Sequence, residues 1–112
     1  MKRYCLILDL RPDAGLIQEY VDWHKAVWPE IKQSIRDAGV LDMQIYLLEN
    51  RLFMIMDTGD GFTFERKAEM DRANPRVLEW EQLMSRYQDV KPGCDPVKRW
   101  RLMDKVFELG AA

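Results

Sequence analysis

Leu41-Asp42-Met43-Gln44-Ile45-Tyr46-Leu47-Leu48-Glu49-Asn50-Arg51-Leu52-Phe53-Met54-Ile55-Met56-Asp57-Thr58 is the stretch from which the rest of the fold can be worked out. Two β-prone runs, Leu41 to Leu48 and Leu52 to Thr58, flank the short polar segment Glu49-Asn50-Arg51. Runs of this kind joined by so short a connection predict a hairpin, even without an Asn-Gly turn. Side chains alternate across a sheet. Leu41, Met43, Ile45 and Leu47 therefore share a face opposite Tyr46 and Leu48, while Met54 and Met56 oppose Phe53 and Ile55. Both faces of the hairpin are apolar.

Upstream, Leu16, Tyr20, His24, Val27, Trp28, Ile31 and Ile35 recur at three- and four-residue steps, which predicts a helix over Leu16 to Ala38 ending at Gly39. Pro29 lacks an N–H and crowds the preceding turn, so a kink or restart is expected near Trp28. His24 then lies close to a helix break, where freed carbonyls can orient an imidazole and the helix C-terminus favours its charged form. Arg3 to Leu10 reads as a first strand closed by the turn Arg11-Pro12-Asp13-Ala14-Gly15. It carries Tyr4, Leu6, Leu8 and Leu10 on one side, with Cys5 and Ile7 on the other.

Downstream, Gly59-Asp60-Gly61 breaks the chain, and Phe62 to Ala73 and Pro75 to Gln88 read as helical pieces meeting at Asn74-Pro75. Asp89 to Pro96 is expected to be a loop and Leu102 to Leu109 a last strand. The resulting order is strand, helix, strand, strand, helix, strand. That is the α+β, ferredoxin-like split βαβ pattern, an antiparallel sheet with helices on one face. Helices cover only one sheet face, and the other would leave a large apolar patch in water. A homodimer packed sheet to sheet is therefore expected, together with or instead of a ligand cleft between sheet and helices.

The 112 residues, 47% of them hydrophobic, fit one compact domain over 1–112. Seventeen basic against 19 acidic residues give a formal charge of -2, without the basic excess of a nucleic-acid footprint. An uncharged ligand or a protein partner fits that balance better. Cys5 and Cys94 are too few for a disulfide framework and lack zinc-site spacing. The apolar run at the start is too short and too charged for a signal peptide or membrane span, so no membrane association and a cytoplasmic location are expected.

His24 is the chain's one histidine and sits four residues from both Tyr20 and Trp28, so a phenol, an imidazole and an indole share one helical stripe. Histidine moves protons near neutrality, and a tyrosine hydroxyl donates, accepts or positions one. Together they suit general acid–base work such as sugar ring opening. The same spacing also suits a hydrogen-bonded histidine and a packed tyrosine in a core. Phosphate loops, nucleophile elbows and Gly-x-Gly-x-x-Gly runs do not occur, and one histidine among scattered carboxylates argues against a metal site. Glu65, Arg66, Lys67, Glu69, Asp71 and Arg72 read as a solvated helix face.

Glu19-Tyr20-x-x-x-His24-x-x-x-Trp28-Pro29-Glu30, followed by Ile45-Tyr46-Leu47 and by Trp80-x-x-x-Met84, resembles the L-rhamnose mutarotase family. The resemblance spans nearly the whole chain. It implies a dimeric α/β barrel of ferredoxin-like units and cofactor-free interconversion of the α and β anomers of a monosaccharide. It further implies His24 as catalytic proton donor, Tyr20 as a catalytic and sugar-contacting residue, and Trp80 as a pocket wall. Two positions depart from the family pattern: Glu81 stands where the rhamnose enzymes carry a second tryptophan, and Met43 where they carry a sugar-contacting tyrosine. Both remain expected substrate contacts, with L-rhamnose or L-fucose as the sugar, since the chain also resembles an L-fucose mutarotase on the same scaffold. Glu19, Glu30 and Glu81 are candidates to complete the proton path.

Two other classes share these features. Dimeric ferredoxin-like barrels include monooxygenases and haem-degrading enzymes, in which His24 would be an axial ligand. In a non-catalytic ligand-binding module, Tyr20, His24 and Trp80 would merely be packed.

Overall fold

The computed structural model describes residues 1–91, 93–95 and 98–110. Among these, the elements run β1 (Lys2–Asp9), α1 (Ala14–His24), α2 (Pro29–Asp37), β2 (Val40–Leu48), β3 (Arg51–Thr58), α3 (Phe64–Arg72), α4 (Pro75–Met84) and β4 (Arg101–Leu102). The antiparallel sheet has strand order β2-β3-β1-β4, the arrangement of a ferredoxin-like fold. No described helix is long and apolar enough to cross a membrane.

Local chemistry fixes the helix ends. Asp13 caps α1 by accepting from the Leu16 N–H, Thr63 caps α3 by accepting from Arg66, and Asn74 caps α4 by accepting from Arg76 and Val77. Pro29 does more than kink the expected long helix. The residue before a proline is pushed out of the helical region, and Trp28 is extended (φ -56°, ψ 135°), so α1 ends at His24 and α2 begins at Pro29. Gly39, at φ 99°, terminates the second helix in the left-handed region that glycine adopts freely.

The hairpin connection is shorter than expected, because Arg51 already pairs with Leu48 and only Glu49 and Asn50 turn the chain. Asn50 is tied to β1: its backbone C=O accepts from the Leu10 N–H at 2.7 Å and its side chain donates to the Leu10 C=O at 2.9 Å. A register shift between Val40 and Asp42 makes Leu41 an extra residue, so the buried Val40 takes the inward position and Leu41 is exposed.

The last strand is also shorter than expected. After Arg101 and Leu102 pair with Ile7 and Leu6, the Met103 N–H donates to the Cys5 C=O and the chain leaves the β1 edge. Residues 103–109 have no strand partner among the described residues, and a β ladder needs one. Val106, Phe107 and Leu109 stand 94%, 76% and 89% exposed. Within the loop expected over 89–96, Pro92 and Pro96 lie outside the described residues.

The two sheet faces differ sharply. Leu6, Leu8, Leu52, Met54 and Met56 are buried beneath the helices. On the opposite face, the cross-strand pairs Cys5/Ile55 and Ile7/Phe53 adjoin Tyr46 and Leu48, both exposed. This apolar strip is bracketed by two cross-strand ion pairs, Arg3–Asp57 and Arg51–Asp9, each at 2.8 Å.

Candidate functional site

Between sheet and helices lies a cavity of about 670 Å³, within the range of small-molecule sites. Tyr20, His24, Met43, Trp80 and Glu81, the five residues singled out in the sequence, all line it. The helical stripe on α1 and a second one on α4 converge on it from two directions.

His24 is the last residue of α1, and its Nδ1 lies 2.8 Å from the Tyr20 backbone oxygen. A carbonyl only accepts, so Nδ1 carries the proton and Nε2 is the lone-pair nitrogen of the neutral ring. Among the described residues Nε2 has no hydrogen-bond partner. The Tyr20 ring stacks on the imidazole with centroids 4.1 Å apart, and the Trp80 edge meets it at 5.6 Å. Burial lowers the His24 pKa, and the hydrogen bond to the Tyr20 carbonyl offsets this only in part. Desolvation therefore outweighs that hydrogen bond, and the resting imidazole is neutral at pH 7.

Burial, reinforced by the charge of Glu81, raises the Tyr20 hydroxyl well above the ordinary tyrosine value. Tyr20 therefore rests as an O–H group. Burial also raises the Glu81 carboxyl to about 6, against the lowering influence of Arg99 and Lys67. Of the three candidate glutamates, Glu81 alone lines the cavity. Glu19 accepts from the Tyr87 hydroxyl, which in turn accepts from the Trp23 indole N–H, while Glu30 faces Arg76 at the surface.

The aromatic wall is clamped from outside. Trp28 meets Trp80 edge-on at 5.0 Å and lies beneath the Arg76 guanidinium, 3.8 Å from its centroid. This cation–π contact braces Trp28 against Trp80, which lines the cavity. On the inner side, Arg99 donates to the Glu81 C=O and to Gln88 Oε1, fixing the end of α4. Among the described residues no group of three or more His, Cys, Asp or Glu is placed to hold a metal ion.

The sequence reading missed Lys67 and Asp71. They line the cavity as an ion pair of 2.7 Å, with side chains only 23% and 14% exposed, so they do not belong to the solvated face assigned to the charged run. The available signal was their spacing with Phe64 and Ala68, which puts all four on one stripe of α3.

The chain matches the sequence model of the L-rhamnose mutarotase family over residues 3–109. It belongs to that family. It is 40% identical to the L-fucose mutarotase of Xanthomonas campestris pv. campestris, covering 100% of this chain and 91% of that protein. It is 35% identical to the L-rhamnose mutarotase of Phocaeicola vulgatus, covering 87% and 89%. The crystal structure of an L-rhamnose mutarotase from Formosa agariphila superposes with a TM-score of 0.74 at 23% identity, covering 97% of this chain and 99% of that one, and so shares the fold. Membership of this mutarotase family takes precedence over the topological analogy with monooxygenases and haem-degrading enzymes.

Proposed function

We propose that the protein is an aldose 1-epimerase acting on a 6-deoxy-L-hexose, L-rhamnose or L-fucose, with His24 and Tyr20 as its acid–base machinery. The observation that carries this is the imidazole at the cavity wall with one nitrogen tied to backbone and the other left available. Neutral His24 takes the proton of the anomeric hydroxyl through Nε2 as the bond between C1 and the ring oxygen breaks. The Tyr20 hydroxyl donates its proton to the ring oxygen, giving the open-chain aldehyde. Rotation about the bond between C1 and C2 and closure on the other face of C1 complete the exchange, as the protonated His24 returns its proton to O1 and the ring-closing hydroxyl returns its own to Tyr20. Tyr20 donates a hydrogen bond that positions the sugar, and Trp80 offers a flat apolar wall to its C–H side. Met43 and Glu81 are the further contacts, and the higher identity to the L-fucose enzyme puts L-fucose first.

His24→Ala is expected to slow anomer exchange by about 10²- to 10⁴-fold in saturation-transfer NMR with the fold intact. Equal exchange in wild type and variant would end the proposal. In the wild type, exchange falls on acidification as the imidazole takes a proton, at a pH below the ordinary histidine value.

A homodimer, seated on the open sheet face, belongs to the same proposal. An apolar strip framed by ion pairs has the layout of an interface core with a polar rim, and the exposed tail beyond β4 leaves the edge beside it. A second copy covers both with one self-complementary surface. Light scattering at micromolar concentration should return twice the chain mass, and Phe53→Lys should return the single chain. A wild-type monomer sinks this part alone. A cytoplasmic location is proposed on the same footing, supported by two free, half-buried cysteines.

A further inference from the structure

The inward stripe of α3 is Phe64, Lys67, Ala68 and Asp71, at positions i, i+3, i+4 and i+7. A helix that only packed on the sheet would carry apolar residues at all four. Here two are charged, bonded to each other at 2.7 Å, and turned toward the cavity rather than toward water. Helix stability does not explain the pair. The acidic residue is better placed N-terminal to the basic one, and this pair runs the other way. Burying it also removes hydration from both charges.

We propose that Lys67 and Asp71 form the part of the site that reads the sugar's hydroxyls, and so determine which aldose it accepts. The proposal rests on the mutarotase reading and extends it to specificity. The ammonium has three N–H groups, of which one serves Asp71, and the carboxylate has an oxygen besides the one that Lys67 holds. A vicinal diol matches this arrangement: one hydroxyl accepts from Lys67 while its neighbour donates to Asp71. Glu81 lies close enough to this pair for both charges to act on its carboxyl, so the three groups form one polar cluster in the cavity that Tyr20, His24 and Trp80 also line. Apolar C–H surface is met by the aromatic rings and hydroxyls by this cluster. L-Fucose and L-rhamnose differ only in configuration at C2 and C4, so a donor–acceptor pair fixed in space distinguishes them where an apolar wall does not.

The test is saturation-transfer NMR of both sugars over a concentration series. Exchange of neither sugar by the wild type would overturn the mutarotase reading itself, before any variant is made. With exchange established, Asp71→Asn is expected to raise KM for the preferred sugar about 10- to 100-fold, the effect of losing a hydrogen bond to a charged group. The kcat should stay within about threefold, because proton transfer at C1 lies elsewhere, and the preference between the sugars should collapse. A uniform loss for both sugars, or a loss in kcat alone, overturns the proposal. The charge-swapped double variant Lys67→Asp/Asp71→Lys keeps an ion pair and decides the question even where Asp71→Asn fails to fold. It should recover the wild-type melting temperature with an altered sugar preference. Recovery of both the melting temperature and the wild-type preference would reduce the pair to a structural one.

Discussion

Helices α3 and α4 follow one another and present the same geometric stripe to the cavity, yet they use it in opposite ways. The α4 stripe is Val77, Trp80, Glu81 and Met84, of which three are buried, whereas the α3 stripe buries none of its four. Trp80 and Met84 pack with Leu10, Tyr20, Leu52 and Tyr87 in one continuous cluster. Beneath α3 the chain leaves volume instead. One helix builds the wall, and the other closes over the space that a ligand takes. Glu81 marks the seam, a carboxyl within the apolar stripe of α4, on the side nearest the ion pair of α3.

Trp80→Ala is the strongest way to break this contrast. Truncating a buried tryptophan costs about 3–5 kcal/mol, while Phe64→Ala, half-buried in the α3 stripe, should cost about 1–2 kcal/mol for the area involved. Urea unfolding measures both, and equal losses would mean that α3 is as much a core helix as α4.

Glu81→Gln sharpens the contrast through pH. The carboxyl has a pKa of about 6 in the folded protein against an ordinary value of 4.5, so folding favours its protonated form. That favour is complete below pH 4.5 and is lost as the pH rises through 6, leaving a penalty at pH 8 that glutamine removes. The variant should gain about 1–2 kcal/mol at pH 8 and much less at pH 4.5. The same gain at both pH values would show that the effect comes from packing and not from the buried charge.

Ala68→Leu is the smallest change. Filling the space under α3 should leave stability within about 0.5 kcal/mol of wild type or slightly raise it, while the anomer-exchange rate drops because the sugar's volume is taken. A large loss of stability would mean that this volume is packed and not free.

Local signals carried most of the fold. The split βαβ order followed from the hairpin at 41–58 and its flanking helices, and Trp28-Pro29 marked the helix break because a proline acts on its own neighbours. The five expected site residues share one cavity because helical spacing sets the faces of α1 and α4, which carry four of them, and strand alternation sets that of Met43 on β2. Lys67 and Asp71 were not legible: periodicity says which residues share a face, and it does not say whether that face meets water or a cavity. Nor was the brevity of β4 legible, since Leu102 to Leu109 is a plausible strand in composition and becomes one only where an edge runs alongside it.

The sequence by itself determined the element order, the alignment of Tyr20 and His24 on one stripe of α1, and the amphipathic spacing of α3 and α4, while the break at Pro29 takes Trp28 off that stripe. These depend on separations of a few residues, over which backbone geometry is fixed. Only the tertiary structure decided that the neutral His24 ring keeps Nε2 unprotonated, that the Glu81 carboxyl titrates near neutrality, and that an ion pair points inward from α3. Each depends on how much water reaches a group. That is a property of the volume enclosed by distant segments, and no local spacing encodes it.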